Sequence, residues 1–232
     1  MILKRLLAEH RQDFHALFLP DLDQGNTMIL DLSTGNPGMK NLDYSDTHGL
    51  GNLIFDEMQK KGFLYAYGGY MEDREVYRRS PLFAGQSEEA RSIHLGIDVW
   101  TPSGTPVYLP LDGIVHSFQD NATFGDYGPT IIMEHKLADE TFFTLYGHLS
   151  RDSLETLRQG TQVRKGSIFC RVGDAPGNGD WPPHLHFQVI ADMKGLRGDF
   201  PGVAFVSEQE KYRELCPDPG FFFKKLNTGF EE

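Results

Sequence analysis

Cysteine is scarce in this chain, which has two cysteines among its 232 residues. Neither their number nor their spacing suggests a disulfide framework, and two cysteines cannot form a zinc site built from cysteine ligands. Cys170 lies in the apolar run 168–170, which predicts a buried thiol. A chain of this length buries on the order of 70% of its unfolded surface, so no disulfide is needed to hold its core. We therefore expect reduced thiols and a cytoplasmic protein.

The chain also lacks long apolar runs, and its basic side chains are fewer than its acidic ones. No segment approaches the roughly 18–20 apolar residues of a membrane-spanning helix, and the N-terminal segment MILKRLLAEHRQDFHALF lacks the apolar core and cleavage site of a signal peptide. The 33 acidic residues outnumber the 22 basic ones, for a formal net charge of −11. This charge argues against nucleic acid, anionic wall polymers and lipids as partners, and leaves room for a zwitterionic or cationic peptide.

The first part of the chain, residues 1–85, is predicted to be a mixed α/β extension. Apolar positions at mostly helical spacing predict an amphipathic helix over residues 1–18, and a second helix is expected over 50–61, closed by Gly62. One strand is expected near residues 28–30. The aromatic and basic segment that follows the second helix is expected to be a packed connector, with a wall facing a substrate as the alternative.

From residue 93 onward, short apolar runs alternate with Gly, Pro, Asn and Asp, which is typical of strands joined by turns. The predicted strands cover 107–109, 113–117, 130–135, 141–146, 167–172 and 185–190. Only 151–159 has helical character within this part. We expect a mainly β fold with antiparallel sheets in a sandwich-like core over 86–195, followed by a tail, 196–232, that packs on the body and has one helix near 207–215.

Two short strings, H-L-G-I-D at 94–98 and H-L-H at 184–186, have the spacing of metal ligands in segments that resemble strands. On a straight strand, residues four apart lie roughly 13 Å from each other, too far to share one zinc ion with bonds of about 2.0–2.2 Å. The chain must therefore bend inside the first string, and Gly96 is the expected place. In the second string His184 and His186 share one face, with Leu185 turned into the core.

Catalytic zinc commonly takes three protein ligands and keeps one open position. His94, Asp98 and one histidine of the H-L-H pair would supply that set. A further histidine, His148, lies in the string Y-G-H-L-S, which is expected to be a loop. Two histidines would then remain for proton transfer. The sequence has no H-E-x-x-H helix, so no glutamate is placed as the base.

These strings, together with G-T-P-V, D-G-I-V, Y-G-H-L-S, G-x-x-V-x-x-G and P-H-L-H-F in this order, resemble the lysostaphin-type or LytM-like zinc metallopeptidases, which are peptidoglycan endopeptidases. The likeness covers about residues 93–190. It implies one zinc ion per chain, held by His94, Asp98 and His186. It also implies that His148 and His184 are catalytic histidines that do not bind the metal.

A closer likeness lies in the stretch from Gly179 to Gln188, with G-D-F-P-G-V-A and C-P-D-P downstream. It resembles the peptidase-like domain that some large proteins carry between a phosphotransferase-like and a class III aminotransferase-like domain. The family's small glycine-rich loop before H-x-H is replaced here by the bulkier, more acidic segment 174–181. Tyr127 and Trp181 sit in loops beside motif positions and are candidate walls of the substrate cleft.

The resemblance implies zinc-dependent hydrolysis of a peptide or amide bond, as in a peptidoglycan endopeptidase. Two alternatives stay open: a cytoplasmic metallo-amidase or peptidase that acts on a small soluble substrate, and a LytM-like module that binds or regulates without catalysis. We expect a peptide or amide as the partner, with neither nucleic acid nor membrane. The sequence leaves the oligomeric state undetermined.

Overall fold

The structure is a computed structural model that describes residues 2–39, 42–84 and 89–226. Its strands are β1 (Thr27–Leu30), β2 (Tyr65–Gly68), β3 (Ile93–His94), β4 (Ile97–Trp100), β5 (Pro106–Tyr108), β6 (Gly113–Asn121), β7 (Gly128–Leu137), β8 (Glu140–Gly147), β9 (Gln162–Val163), β10 (Ile168–Arg171), β11 (His184–Ile190) and β12 (Val203–Ala204). Its α-helices are α1 (Ile2–Glu9), α2 (Thr47–Lys61), α3 (Asp152–Glu155) and α4 (Gln209–Leu215). Short 3-10 helices cover Arg11–Asp13, Pro37–Met39, Glu75–Arg79, Pro81–Phe83, Val206–Glu208 and Pro219–Phe222.

One large sheet organises the molecule, with strand order β1-β2-β4-β11-β8-β7-β6-β9. All neighbours in it pair antiparallel except β1 and β2, which are parallel. Two antiparallel ribbons, β10 with β5 and β12 with β3, complete the β structure. The prediction of a mainly antiparallel β fold with an N-terminal α/β segment is confirmed. The three-part division at residues 85 and 195 stays a prediction, and the structure shows β1 and β2 extending the central sheet.

The expected helix over residues 1–18 is wrong beyond its first half. Helix α1 ends at Glu9, and the backbone at residues 15 and 17 forms hydrogen bonds with residues 108 and 110 of the same chain. His15 N–H donates to the Pro110 carbonyl at 2.8 Å, and Tyr108 N–H donates to the Leu17 carbonyl at 2.9 Å. Phe14, Leu17 and Phe18 are still buried, so helical spacing correctly indicated their burial but not the backbone conformation.

Helix α2 follows its sequence signals more closely. It begins at Thr47, three residues before the predicted start, because the Asp46 side chain accepts a hydrogen bond from the Gly49 N–H at 2.9 Å and caps the helix. It ends at Lys61, and the residue that caps it, Gly62, adopts φ of 73°, as the cap prediction requires. The helix expected over 151–159 is reduced to the four residues of α3.

The two faces of the central sheet have different contents. Leu185 and Phe187 of β11 belong to the main core, together with Ile97 and Val99 of β4. On the opposite face, a second apolar cluster joins helix α2 to the sheet; its buried members include Leu50, Ile54, Met58, Ala66, Val76, Tyr77, Phe83, Trp100 and Trp181. This second face also carries the candidate site. No described helix is long and apolar enough to cross a membrane.

Candidate functional site

The two metal-ligand strings meet because β4 and β11 are neighbours in the sheet. Their antiparallel register places His186 opposite Asp98. The bend predicted in the first string is confirmed, since β3 ends at His94 and β4 begins at Ile97. Glycine is required at the bend: a Cβ on Gly96 would lie 2.6 Å from Cε1 of His186, inside any real contact distance. The bend therefore brings His94 back toward Asp98 and leaves space for the His186 ring.

Three acceptor atoms form a small buried triangle. Nε2 of His94 lies 3.0 Å from Nδ1 of His186, and Oδ1 of Asp98 lies 3.3 Å and 3.2 Å from these two nitrogens. In a tetrahedral site with bonds of about 2.0–2.1 Å, ligand atoms are about 3.3–3.4 Å apart. The three side chains form a group that could hold a metal ion, and the spacing of their atoms fits zinc.

Hydrogen bonds on the outer side of the triangle fix which ring nitrogens carry hydrogen. Nδ1–H of His94 donates to the Gly69 carbonyl at 2.9 Å, because a carbonyl can only accept. Nε2–H of His186 donates to Oε1 of Gln188 at 2.9 Å, and the Gln188 amide group donates to the Pro201 carbonyl at 3.1 Å. The inner atoms are then three acceptors with no hydrogen between them, an arrangement that a cation satisfies.

Arg74 supports the carboxylate from outside the triangle. It is 2% exposed, and its guanidinium donates to Oδ2 of Asp98 and to Glu72, each at 2.5 Å. Oδ1 of Asp98 is therefore the oxygen left for a metal. Burial opposes ionisation of Asp98, but positive charge in the site, from Arg74 and from His94 when protonated, holds the pKa of Asp98 well below its usual range.

His148 and His184 lie side by side next to the triangle, with ring centroids 4.2 Å apart. Nδ1–H of His148 donates to the Asn178 carbonyl at 2.8 Å, and Nδ1–H of His184 donates to the Pro182 carbonyl at 2.7 Å. Each Nε2 is thus left without hydrogen in the neutral ring, and Nε2 of His184 is 3.7 Å from Oδ1 of Asp98. Burial lowers the pKa of both histidines, so both are neutral proton acceptors near pH 7.

The backbone at His148 is held in an unusual conformation. This residue follows β8 and has φ of 59°, in the left-handed region that non-glycine residues rarely occupy. Its N–H donates to the Tyr127 carbonyl at 2.7 Å, while the loop residue Asn178 holds its ring. Asn178 is itself fixed by two hydrogen bonds with the Trp181 backbone, at 3.0 Å and 3.1 Å. The segment 174–181 therefore orients the His148 imidazole.

Tyr127 and Trp181 both face the site. The Tyr127 ring lies 5.0 Å from the His186 ring, and the Trp181 ring lies 6.0 Å from the His148 ring, between centroids. Both line a cavity of about 330 Å³ that also contains Asp98, His148, His184 and His186. The cavity's other walls include Leu50, Ile54, Tyr77 and Phe83 from the N-terminal part of the chain. Most of the described side chains in the segment 63–80 are buried or half-buried, and Arg74, Val76 and Tyr77 also line this cavity.

The structure brings all seven predicted site residues into one region and adds residues that sequence reasoning missed. Gln188 had a usable signal, because it follows His186 by two residues on a strand and so shares its face. Arg74 and Asn178 had none, since their importance depends on contacts with Asp98 and His148, which are 24 and 30 residues away. His135, interpreted as structural, is buried away from the triangle and lies 2.7 Å from the Thr144 hydroxyl.

Several known proteins are similar to this chain. Peptidoglycan DD-endopeptidase ShyC of Vibrio cholerae is 29% identical over 176 residues, which cover 74% of this chain and 34% of that protein. DD-carboxypeptidase/endopeptidase Mpg of Neisseria meningitidis is 36% identical over 97 residues, 42% of this chain and 20% of that protein. The chain thus spans about a third or less of these relatives. The lysostaphin catalytic domain of Staphylococcus simulans is 24% identical, with a TM-score of 0.41, covering 57% of this chain and 80% of that one.

The region of similarity coincides with the site. Every predicted site residue, from His94 to His186, lies between residues 92 and 197. This same stretch, residues 92–197, matches the family model described as Peptidase family M23.

Proposed function

We propose that this protein hydrolyses a peptide or amide bond with one zinc ion as its cofactor. The observation that carries the proposal is the triangle of acceptor atoms on His94, Asp98 and His186, 3.0–3.3 Å apart, beside two neutral imidazoles. The match of this stretch to Peptidase family M23 supports hydrolysis. Intact ligand positions disfavour a module that binds or regulates without catalysis.

Each site residue has a distinct part in the proposed reaction. His94, Asp98 and His186 hold the zinc, which when bound supplies a Lewis acid that polarises a carbonyl and lowers the pKa of water. One of His148 and His184 takes a proton from the attacking water at its Nε2 and delivers it to the leaving amine, and the other stabilises the oxyanion when its Nε2 is protonated. Arg74 and Gln188 orient Asp98 and His186, and Tyr127 and Trp181 form walls of the cleft.

Two substrate classes agree with this chemistry. The names of the relatives, peptidoglycan DD-endopeptidase and DD-carboxypeptidase/endopeptidase, favour the peptide stems of peptidoglycan. The cavity of about 330 Å³ favours a small soluble amide instead. The cytoplasmic location and the likeness to the fused peptidase-like domain stay predictions.

The proposal is tested by metal analysis coupled to a screen of muropeptides against short soluble peptides. We expect one zinc ion per chain and amine release that stops when the metal is chelated. A zinc-loaded protein that hydrolyses no compound of either class would contradict the proposal and favour a binding module.

The roles of the two unligated histidines are tested by His148→Ala and His184→Ala. Each variant should retain zinc while turnover falls by about 10²–10⁴, the usual contribution of general acid–base catalysis. His116→Ala is the matched control, because this partly exposed histidine of β6 lies outside the cavity. Loss of zinc on His148→Ala would show that the ligand assignment is wrong.

A further inference from the structure

The cavity beside the candidate metal centre is closed by a part of the chain that lies outside the family match. Helix α2 contributes Leu50 and Ile54, and the segment that follows β2 contributes Tyr77 and Phe83. All four residues precede residue 92, where the match begins. The N-terminal part therefore decides what can approach the metal centre, although the ligands and catalytic histidines come from elsewhere.

We propose that the site acts on a small zwitterionic dipeptide whose apolar side chain occupies this cavity, and not on a cross-linked polymer. The inference rests on the proposed hydrolase function and specifies its substrate class. It depends on three features of the described residues: the burial of the reacting groups, the size of the cavity, and the distribution of apolar and charged side chains along its walls.

The reacting groups are out of reach of a bulky chain. His94 and Asp98 are 0% and 4% exposed, and His148, His184 and His186 are at most 6% exposed. A peptidoglycan cross-link has two glycan-anchored peptides that extend in opposite directions from the bond that is cut. Such a substrate needs an open groove on both sides of the metal, whereas the described residues form a pocket.

The volume of the pocket matches a dipeptide. Ligand sites for small molecules occupy about 300–1,000 Å³, and the 330 Å³ here lies at the lower end. Since one water takes about 30 Å³ of liquid volume, the pocket has room for about eleven waters. Covalently bonded heavy atoms pack more closely than separate waters, so this volume accommodates a dipeptide in which one side chain is larger than that of alanine.

The inner wall of the pocket is aromatic and continuous with the metal centre. The Tyr77 ring lies 4.9 Å from the Phe83 ring and 6.3 Å from the rings of both Trp181 and His94, between centroids. Leu50 and Ile54 face the same space from α2. A side chain seated against these rings would be leucine-like or aromatic, since a polar group would lose its water there without a partner.

Charged groups of both signs lie on the remaining walls. Asp126 and Asp199 contribute carboxylates, and Arg91 contributes a guanidinium that packs over the Phe83 ring at 5.5 Å from its centroid. Within the described part of the chain, Arg91 has no carboxylate within salt-bridge distance. Two carboxylates and the guanidinium of Arg91, which also donates a hydrogen bond to the Leu82 carbonyl, complement a molecule that has both an ammonium and a carboxylate group, which is the charge pattern of an unblocked dipeptide.

The test compares three substrate sets on the zinc-loaded full chain: free dipeptides of L- and D-residues, the same dipeptides with blocked termini, and purified cross-linked muropeptides. Products are quantified by mass spectrometry. We expect kcat/KM for free dipeptides with leucine or phenylalanine to exceed that for blocked dipeptides and muropeptides by at least about tenfold, the lower end of what one pocket contact discriminates. Equal or faster cleavage of muropeptides would overturn the inference and leave the proposed function intact. No hydrolysis of any set would overturn both.

A pair of leucines on helix α2 gives a matched test of the pocket itself. Leu50 is 7% exposed and lines the pocket, whereas Leu53 is 42% exposed and lies outside it. Leu50→Trp should lower kcat/KM for phenylalanine dipeptides by about 10–200-fold and affect alanine dipeptides far less. Leu53→Trp should keep the wild-type profile.

A variant that enlarges the pocket provides a second test, which remains available if the tryptophan variant misfolds. Leu50→Ala should shift preference toward larger side chains, with zinc stoichiometry and circular dichroism confirming an intact fold. If folded Leu50 and Leu53 variants share one substrate profile, the pocket does not select the substrate and the inference is overturned.

Discussion

At the scale of single residues, Gln188 determines how His186 can bind a metal. Its amide group is held by the Pro201 carbonyl, so its Oε1 accepts Nε2–H of His186 and leaves Nδ1 free for the ion. Partners of this kind usually change metal affinity by about 10–100-fold. We therefore expect Gln188→Leu to raise the zinc Kd by that factor, measured by competition with a chromogenic chelator.

The control for this measurement is Gln119→Leu, because Gln119 is exposed on β6 and lies outside the cavity. It should leave the zinc Kd unchanged. If Gln188→Leu also leaves the zinc Kd unchanged, the hydrogen bond from His186 to Gln188 does not determine how tightly His186 binds zinc.

Arg74 is a second residue with a predictable effect, since its removal should lower the free energy of unfolding. Its buried guanidinium joins the carboxylates of Glu72 and Asp98, so Arg74→Met leaves both without their cation. Breaking a buried ion pair by removing one partner costs about 3–5 kcal/mol. We expect a loss of that size in the free energy of unfolding of the metal-free protein, measured with urea.

Arg5→Met is the matched control for Arg74→Met. Arg5 pairs with Glu9 at 3.6 Å on the surface, with both side chains more than half exposed, and such pairs contribute about 0–1 kcal/mol. Equal losses in the two variants would show that the buried network does not stabilise the fold.

At the scale of secondary-structure elements, the break between β3 and β4 is the critical local feature. A methyl group at residue 96 would overlap the His186 ring, with its Cβ 2.6 Å from Cε1. We expect Gly96→Ala to displace this ring and to reduce zinc binding to well below one ion per chain, as measured by metal analysis after dialysis.

Helix α2 provides the control for this substitution. A Cβ on Gly51 would make an ordinary contact of 3.6 Å with Pro182. Gly51→Ala should keep full zinc stoichiometry and stabilise the protein by about 0.5–1 kcal/mol, because alanine is favoured over glycine within a helix. Full zinc binding by Gly96→Ala would mean that the bend tolerates a side chain.

At the scale of the whole molecule, buried neutral histidines make stability depend on pH. Burial lowers the pKa of both His94 and His135 to about 4, and it also lowers the pKa of His148 and His184. The unfolded chain takes up these protons near pH 6.5, whereas the folded chain does not until a lower pH. The free energy of unfolding of the metal-free protein is therefore highest above pH 6.5 and falls as the pH drops toward 4.

His135 allows this prediction to be tested apart from the metal centre. One such histidine contributes a slope of up to about 1.4 kcal/mol per pH unit. In urea titrations between pH 7 and pH 4.5, His135→Asn should show a slope that is smaller by up to that amount. An unchanged slope would mean that His135 takes up its proton equally in the folded and unfolded states.

The sequence by itself determined the features that depend on local chemistry. Alternation placed His184 and His186 on one face, the short reach of zinc bonds required a bend near Gly96, and the cap at Gly62 ended α2. Local spacing failed beyond Glu9, because hydrogen bonds that join residues 15 and 17 to residues 110 and 108 replaced the helical ones. Periodicity indicates which residues are buried. It cannot indicate that a backbone group will form its hydrogen bond with a residue far along the chain and not within a helix.

Only the tertiary structure decided how the candidate metal centre is supported and what lies around it. The guanidinium of Arg74 meets Asp98 across 24 residues, and Thr47 at the start of α2 donates to the Asp180 carbonyl across 133. Contacts between such distant residues follow from sheet order and helix packing, which no local pattern encodes. The proposed ligand set could therefore be predicted from short strings, whereas the pocket that we propose to select the substrate depended on how the N-terminal part packs against them.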